Sequence, residues 1–300
     1  MRETPLDLAA DLHEQRLLLE QIMTAHPLAV DVTVERISVG GVPAAEIEIA
    51  SLCTSSVILY LHGGAYTMGS AASAAGLASE LARRASACAV SVEYRLAPEH
   101  PYPAALDDAV AAYRGLLDAG APPSQIAVAG ESAGGGLAVA LLAALNDHGL
   151  PQPSSAVVFS PWADLTLSGA TMISKASLDP SLTVDGLRRR ATDYVGGASA
   201  SDGLVSPVFA DLHGLPPLLI QVGSHEILLS DAIALAAHAA EHDVAVALEV
   251  TPEVPHVFQS FAEMLEEGDT ALGRAGDFLR SHLQLERTRR KDSRTPAGVC

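Results

Sequence analysis

Gly130-Glu131-Ser132-Ala133-Gly134 carries the most pointed chemistry in this chain, a serine set between glycines in a G-x-S-x-G pattern. It follows a short aliphatic run, Gln125–Ala129, and opens the alanine- and leucine-rich stretch Ser132–Asp147, so it falls where a strand turns into a helix. A sharp strand-to-helix turn lifts the serine hydroxyl above the sheet edge, beside a helix N-terminus whose field favours developing negative charge. The chemistry this suggests is nucleophilic attack on an acyl carbon. The structural alternative is a small-residue turn that packs a helix tightly on a strand, and Gly135 and Gly136 do extend the run.

Acyl transfer generates an oxyanion that fixed donors must meet, and backbone amides are suitable donors. His62-Gly63-Gly64-Ala65-Tyr66 directly follows the strand-like Val57–Leu61. Its two glycines let the chain turn the Gly63 and Gly64 N–H groups toward such an oxygen, with Ala133 N–H as the third. His62 is expected to orient this loop through hydrogen bonds rather than act as a base. Tyr66 and Glu131 are expected beside the substrate, Glu131 also bracing the elbow or the loop near Tyr94.

A serine hydroxyl needs a base, and the base needs a group that fixes its tautomer. Among eleven histidines, His256 follows the last strand-like run and a proline-containing loop. Glu226, in Gly223-Ser224-His225-Glu226 after Leu218–Val222, is the first choice of acid. Asp231 is the fallback and reads more simply as a helix-start residue; Asp202 sits at the wrong depth. The order Ser132, Glu226, His256 is that of α/β-hydrolases. His13 and His282 lie on charged helical stretches. His238 and His242, four apart, could share a metal, but no carboxylate cluster accompanies them in the sequence, so they read as solvated helix positions.

Positioning these groups requires a particular scaffold. Val34–Val39, Ala45–Ala50, Val57–Leu61, Ala87–Val92, Gln125–Ala129, Ser155–Phe159, Leu218–Val222 and Ala245–Val250 read as strands. Helix-like stretches lie between them at Ala71–Arg84, Pro103–Ala119, Ser132–Asp147, Asp231–His242 and Ser260–Leu283. The alternation predicts an α/β fold with a mostly parallel eight-stranded sheet between helices, the first two strands forming an antiparallel edge. Residues 31–162 and 206–285 would form this domain. Two segments fall outside the alternation: residues 1–30, where Thr4-Pro5 predicts a helix start, and an insertion at 163–205 within the long Ala163–Pro217 connection. Both are expected to form a helical cap. The basic tail 286–300 is expected to be disordered.

Composition narrows the partners. Nearly half of the 300 residues are apolar (49%), enough for a large core and against disorder. A net charge of −18 repels phosphate backbones, so no nucleic acid is expected. Cys53, Cys88 and Cys300 form neither a disulfide framework nor a metal knuckle, which suits a reducing, cytoplasmic setting. The longest apolar run, Leu137–Leu145, is about half of the ~18 residues an integral span needs. The charged N-terminus is not a signal peptide.

Six motifs in order resemble the hormone-sensitive-lipase-like carboxylesterases, bacterial family IV of the α/β-hydrolase superfamily. They are HGGAY at 62–66, YRLAPEHPYPAALDD at 94–108, GESAGGGLA at 130–138, SPWADL at 160–165, GLPPLLIQVGSHEILLSDA at 214–232 and PHVFQ at 255–259. The resemblance implies Ser132 as nucleophile, Glu226 as acid, His256 as base, and Gly63, Gly64 and Ala133 as the oxyanion hole. It also implies a small-molecule ester substrate with a short to medium acyl chain, no metal or organic cofactor, and a homodimer formed through the last strand and the following helix. Two departures stand out. Glutamate replaces the family's usual aspartate at position 226, and Glu131 stands where aspartate or threonine is commoner. Amide, lactone or carbamate hydrolysis on the same scaffold, and a non-catalytic receptor, are the alternatives.

Overall fold

A computed structural model describes residues 6–283 of the chain. It contains eight strands in a single sheet, β1 (Val32–Val39), β2 (Val42–Ile49), β3 (Val57–Leu61), β4 (Cys88–Val92), β5 (Ile126–Glu131), β6 (Ser155–Phe159), β7 (Leu218–Gly223) and β8 (Val246–Thr251). Their spatial order is β1-β2-β4-β3-β5-β6-β7-β8. β2 runs antiparallel to both β1 and β4, and every other pairing is parallel. Every residue of β3, β5, β6 and β7 is buried, as their unbroken aliphatic runs require when helices cover both faces.

The pleat divides the core in two. Val57, Leu59 and Leu61 of β3 and Val128 of β5 face one apolar cluster, while Ile58, Tyr60, Ala127 and Ala129 face the other. The first cluster is covered by α3 (Ala104–Asp118), α4 (Ala133–Asp147) and α7 (Leu229–Glu241), the second by α2 (Ala75–Ala85) and α8 (Glu266–His282). α4 is buried almost along its whole length. From β3 the chain crosses to β4 on one side and returns to β5 on the other, so the strand order reverses at β3. The crevice at the carboxyl ends of β3 and β5 is where open α/β sheets bind ligands.

Several boundaries differ from the sequence expectation. Thr4-Pro5 lies outside the described residues, and α1 (Leu12–Met23) starts later, with the Asp11 side chain accepting from Glu14 N–H at 3.1 Å. The stretch predicted as one helix over Ser260–Leu283 is a short turn at Phe258–Phe261 followed by α8, because Leu265 is extended and three acids crowd the first turn of α8. Within the insertion only α5 (Thr171–Ser174) and α6 (Val184–Val195) are helical. The tail 286–300 lies outside the described residues. Among the described residues no helix is long and apolar enough to cross a membrane.

Candidate active site

The nucleophile elbow is built by backbone geometry that few residues tolerate. Ser132 has φ +55° and ψ −121°, a strained conformation for a residue with a Cβ. It is held there because its N–H donates to Phe159 O at 2.9 Å and its carbonyl accepts from Trp162 N–H at 2.9 Å. Gly134 lets the first turn of α4 lie against β3, since a Cβ there would stand 2.0 Å from the Leu61 carbonyl oxygen.

Three side chains from three strand ends meet at this elbow. Ser132 follows β5, Glu226 follows β7 and His256 follows β8. His256 Nε2 lies 3.0 Å from Ser132 Oγ, and His256 Nδ1 lies 2.7 Å from Glu226 Oε2. Glu226 is fully buried, and its other oxygen accepts from Ser160 Oγ and from Gly223 N–H, both at 2.7 Å. With its far oxygen accepting two hydrogen bonds, Glu226 offers Oε2 as the acceptor for His256 Nδ1–H, which leaves Nε2 to present its lone pair to Ser132. Burial disfavours the charged His256 ring, but the charge and hydrogen bond of Glu226, with Asp179 and Glu131 adding, raise its pKa above 6.5.

The glycine loop differs from expectation at one donor. Gly63 N–H donates to Glu131 Oε1 at 2.7 Å, so this amide is already committed and cannot also meet an oxyanion. The amides of Gly64, Ala65 and Ala133 donate to no acceptor among the described residues. Gly64 has φ +113°, and a Cβ there would lie 2.1 Å from the Met68 carbonyl oxygen, so only glycine fits. His62 lies behind the loop, stacked on the Tyr94 ring at 4.1 Å, with Nδ1 2.7 Å from the Gly63 carbonyl oxygen. Burial drops its pKa to about 4, against the Gly63 bond, and the ring stays neutral.

Glu131 lines the pocket over Ser132 while its carboxylate grips the glycine loop. Burial pushes this carboxyl up to about 7, with Tyr60, the Gly63 amide and His256 pulling against the shift. Tyr66 does not line that pocket. Its ring is buried in the core, stacked on Tyr194 at 3.9 Å and tilted against Trp162, so its expected contact with substrate is replaced by a packing role.

The pocket, about 200 Å³, is walled mainly by apolar side chains. Leu6, Leu8, Leu19 and Met23 reach it from the N-terminal segment, and Leu182 and Leu187 from the insertion. Arg16 fastens α1 to the sheet domain, donating to Thr67 O at 2.7 Å and Ala97 O at 2.9 Å and pairing with Glu99. Asp231 is not part of the triad. It is buried at the start of α7 and accepts from Ala163 N–H and Asp164 N–H at 3.1 and 2.9 Å, fixing the root of the insertion.

Sequence reasoning missed two supporting residues. Ser160 bonds Glu226 and also accepts from Val257 N–H at 3.1 Å, next to His256. It stands first in SPWADL, and its position at the end of β6 was the available signal. Asp179, buried in the insertion, accepts from Ile227 N–H at 2.8 Å and from Ser181 and Leu182 N–H groups, tying the insertion to the Glu226 loop. No motif marks it.

A serine elbow after the central strand of this sheet, with histidine and acid at later strand ends, defines an α/β-hydrolase. Residues 58–260 match the α/β-hydrolase fold family, and the chain belongs to it, among the hormone-sensitive-lipase-like (family IV) serine carboxylesterases. It is 45% identical over 251 residues to an acetyl-hydrolase of Streptomyces hygroscopicus, covering 80% of this chain and 84% of that one. It is 34% identical over 279 residues to an esterase of Acinetobacter venetianus, covering 93% and 92%. The crystal structure of an esterase from the bacterial hormone-sensitive lipase family superposes with a TM-score of 0.90 at 44% identity, covering 94% of each chain.

Proposed function

We propose that the chain hydrolyses short- to medium-chain acyl esters of small molecules through Ser132, His256 and Glu226, by way of an acyl-enzyme. His256 Nε2 takes the Ser132 proton as Oγ bonds to the ester carbonyl carbon. The carbonyl oxygen, now an oxyanion, is met by the amides of Gly64 and Ala133, and Ala65 N–H takes the place first assigned to Gly63. Each such donor contributes about 2.7–4 kcal/mol to lowering the barrier. As the tetrahedral intermediate collapses, the carbon–oxygen bond to the alcohol breaks and His256 returns its proton to the leaving alkoxide. Water then repeats the sequence on the acyl-enzyme, releasing the acid and restoring Ser132. Glu226 keeps its hydrogen bond to His256 Nδ1–H throughout and steadies the imidazolium formed in each step.

The observation that carries this reading is the unbroken chain Ser132 Oγ to His256 Nε2 at 3.0 Å and His256 Nδ1 to Glu226 Oε2 at 2.7 Å. Glutamate's extra methylene is accommodated because Ser160 and Gly223 anchor its far oxygen. The N-terminal segment and the insertion act as a cap whose leucines receive the acyl chain. The test is release of p-nitrophenol from p-nitrophenyl acetate and butyrate. Ser132→Ala is expected to abolish turnover and labelling by an organophosphonate, and a variant turning over like the parent would refute the assignment.

A further inference from the structure

We infer a second site, for a divalent transition-metal ion of the zinc type, at the opposite end of the sheet from Ser132. It is formed by Asp211, His213 and His242, whose ligand atoms all lie within 4.8 Å of one another. Asp211 and His213 lie on the segment that returns from the insertion to β7. His242 caps the C-terminus of α7, just before β8. The sequence alone shows His242 paired only with His238 on one helix; the fold adds a carboxylate and a second imidazole from a segment about thirty residues earlier.

The donors are aimed and supported. His242 Nδ1 lies 2.9 Å from the His238 carbonyl oxygen, which can only accept, so Nδ1 holds the proton and the neutral ring turns its Nε2 lone pair outward. That lone pair faces Asp211 Oδ1 at 3.8 Å, too far for a hydrogen bond between them. Two ligands each about 2.0–2.1 Å from zinc can span up to about 4 Å, so the gap has the width of a bridging ion. A backbone carbonyl bonded to the other ring nitrogen is the usual outer support of a metal-bound imidazole.

The opposing segment is fixed from both sides. His238 Nε2–H donates to the Ala210 carbonyl at 2.7 Å, and Asn146 of α4 donates to the His213 carbonyl at 2.8 Å. His213 Nδ1 lies 2.7 Å from Asp211 Oδ1, a contact in which a metal would replace the shared proton. The His213 side chain is 65% exposed, leaving it room to rotate onto the ion. Asp147 and Asp202, which with Asp211 line the adjoining cavity, and the carbonyl end of α7 add negative potential. Two imidazoles and one carboxylate with open positions suit zinc, nickel or copper rather than the oxygen-seeking magnesium or calcium. Bound there, the ion would clamp the return segment of the insertion to the end of α7.

Calorimetric titration of chelator-stripped full-length protein with ZnCl₂ alone tests this site, in a Cys53→Ser/Cys300→Ser background that removes competing thiols. One equivalent should bind, MgCl₂ should give no heat, and the melting temperature should rise with added zinc. His213→Ala and His242→Ala should each weaken binding by about tenfold or more, since losing a ligand is at least as severe as losing an outer support. His13→Ala should bind like the parent. Ester turnover should be unchanged in all three variants and so reports their integrity. No binding at millimolar ZnCl₂ would overturn the site. Identical binding in the His213→Ala/His242→Ala double variant would overturn it as well, as adventitious zinc elsewhere.

Discussion

Removing the Ser160 hydroxyl is the most discriminating perturbation of the catalytic machinery, because Ser160 touches neither the pocket nor the serine. Its Oγ donates to Glu226 Oε1 at 2.7 Å and accepts from Val257 N–H at 3.1 Å. Ser160→Ala keeps the Cβ, and with it the strain of its φ of +45°, so backbone effects cancel in the comparison. The Ser160 bond to Glu226 is present before and during the reaction, so its loss weakens both states equally and should appear mainly as stability. A hydrogen bond to a buried carboxylate contributes about 1.5–3 kcal/mol, which for a chain of this size lowers Tm by roughly 2–5 °C. The rate falls only so far as Ser160 holds Oε2 on the imidazole and Val257 in register. Small misplacements of that kind lower kcat by about ten- to a hundredfold. KM should stay within a factor of two of the parent, on the order of an energetically silent change. Thermal melts and initial rates on p-nitrophenyl butyrate separate the two effects. A stability loss with unchanged kcat would reduce Ser160 to a structural bond, and no loss of either would show that the Glu226 contact carries no energy.

Other outcomes follow from the same geometry. His256 must be neutral to accept the Ser132 proton, and its pKa is raised, so kcat/KM should fall with acidification around a midpoint above pH 6.5. In Glu226→Gln burial is left as the main influence on the ring, and the midpoint should move below that of the parent along with a severe rate loss; an unmoved midpoint would contradict the assigned pair. Glu131 has an ordinary value of 4.5 unfolded and about 7 folded, so between these pH values the unfolded chain releases its proton first and stability declines as pH rises. Glu131→Gln should therefore gain on the parent by on the order of 3 kcal/mol between pH 4.5 and 7 in urea unfolding, and a gap independent of pH would refute it. Lengthening the acyl chain by one methylene along the leucine wall should raise kcat/KM about fourfold until the pocket is full, read from a series of p-nitrophenyl esters. Among the described residues β8 ends the sheet, with Val250 44% exposed; a homodimer through β8 and α8 would give a dimer mass in light scattering, and a monomer mass would count against it.

The parts of this molecule that were legible are those where local physics and global position agree. Burial on both faces forces unbroken aliphatic strands, so β3, β5, β6 and β7 announce themselves, and the residues placed just after them inherit addresses. Ser132 and Glu226 could be nominated by address because each follows such a strand, whereas His256 follows the half-exposed β8 and is marked instead by the proline-containing loop before it. The Gly63 amide could not be resolved from Gly64 and Ala65 by the same reasoning. Which of three adjacent amides is free depends on Glu131, sixty-eight residues away, reaching back to one of them. Tyr66 differs for a related reason: Tyr194, which stacks on its ring, lies far along the chain on α6, and nothing local to either residue names the other.

Asp179 and the Asp211–His213–His242 cluster show the limit more sharply. Each joins an irregular segment to a helix or loop that is distant in the chain, and neither end carries a pattern naming its partner. Asp231 shows how such links are nonetheless organised. It opens α7 and holds the root of the insertion, His238 in the last turn of the same helix bonds the Ala210 carbonyl on the insertion's return, and Asp179 ties its middle to the Glu226 loop. The insertion is thus anchored along one helix whose N-terminal end lies three residues beyond Glu226. Leu182 and Leu187, which wall the pocket over Ser132, are carried on the segment those anchors hold. The insertion and the Glu226 loop are therefore set by shared contacts: on the proposed function, a substitution at Asp179 that frees the Ile227 amide should disturb acyl-chain preference and turnover together in rates on a series of p-nitrophenyl esters.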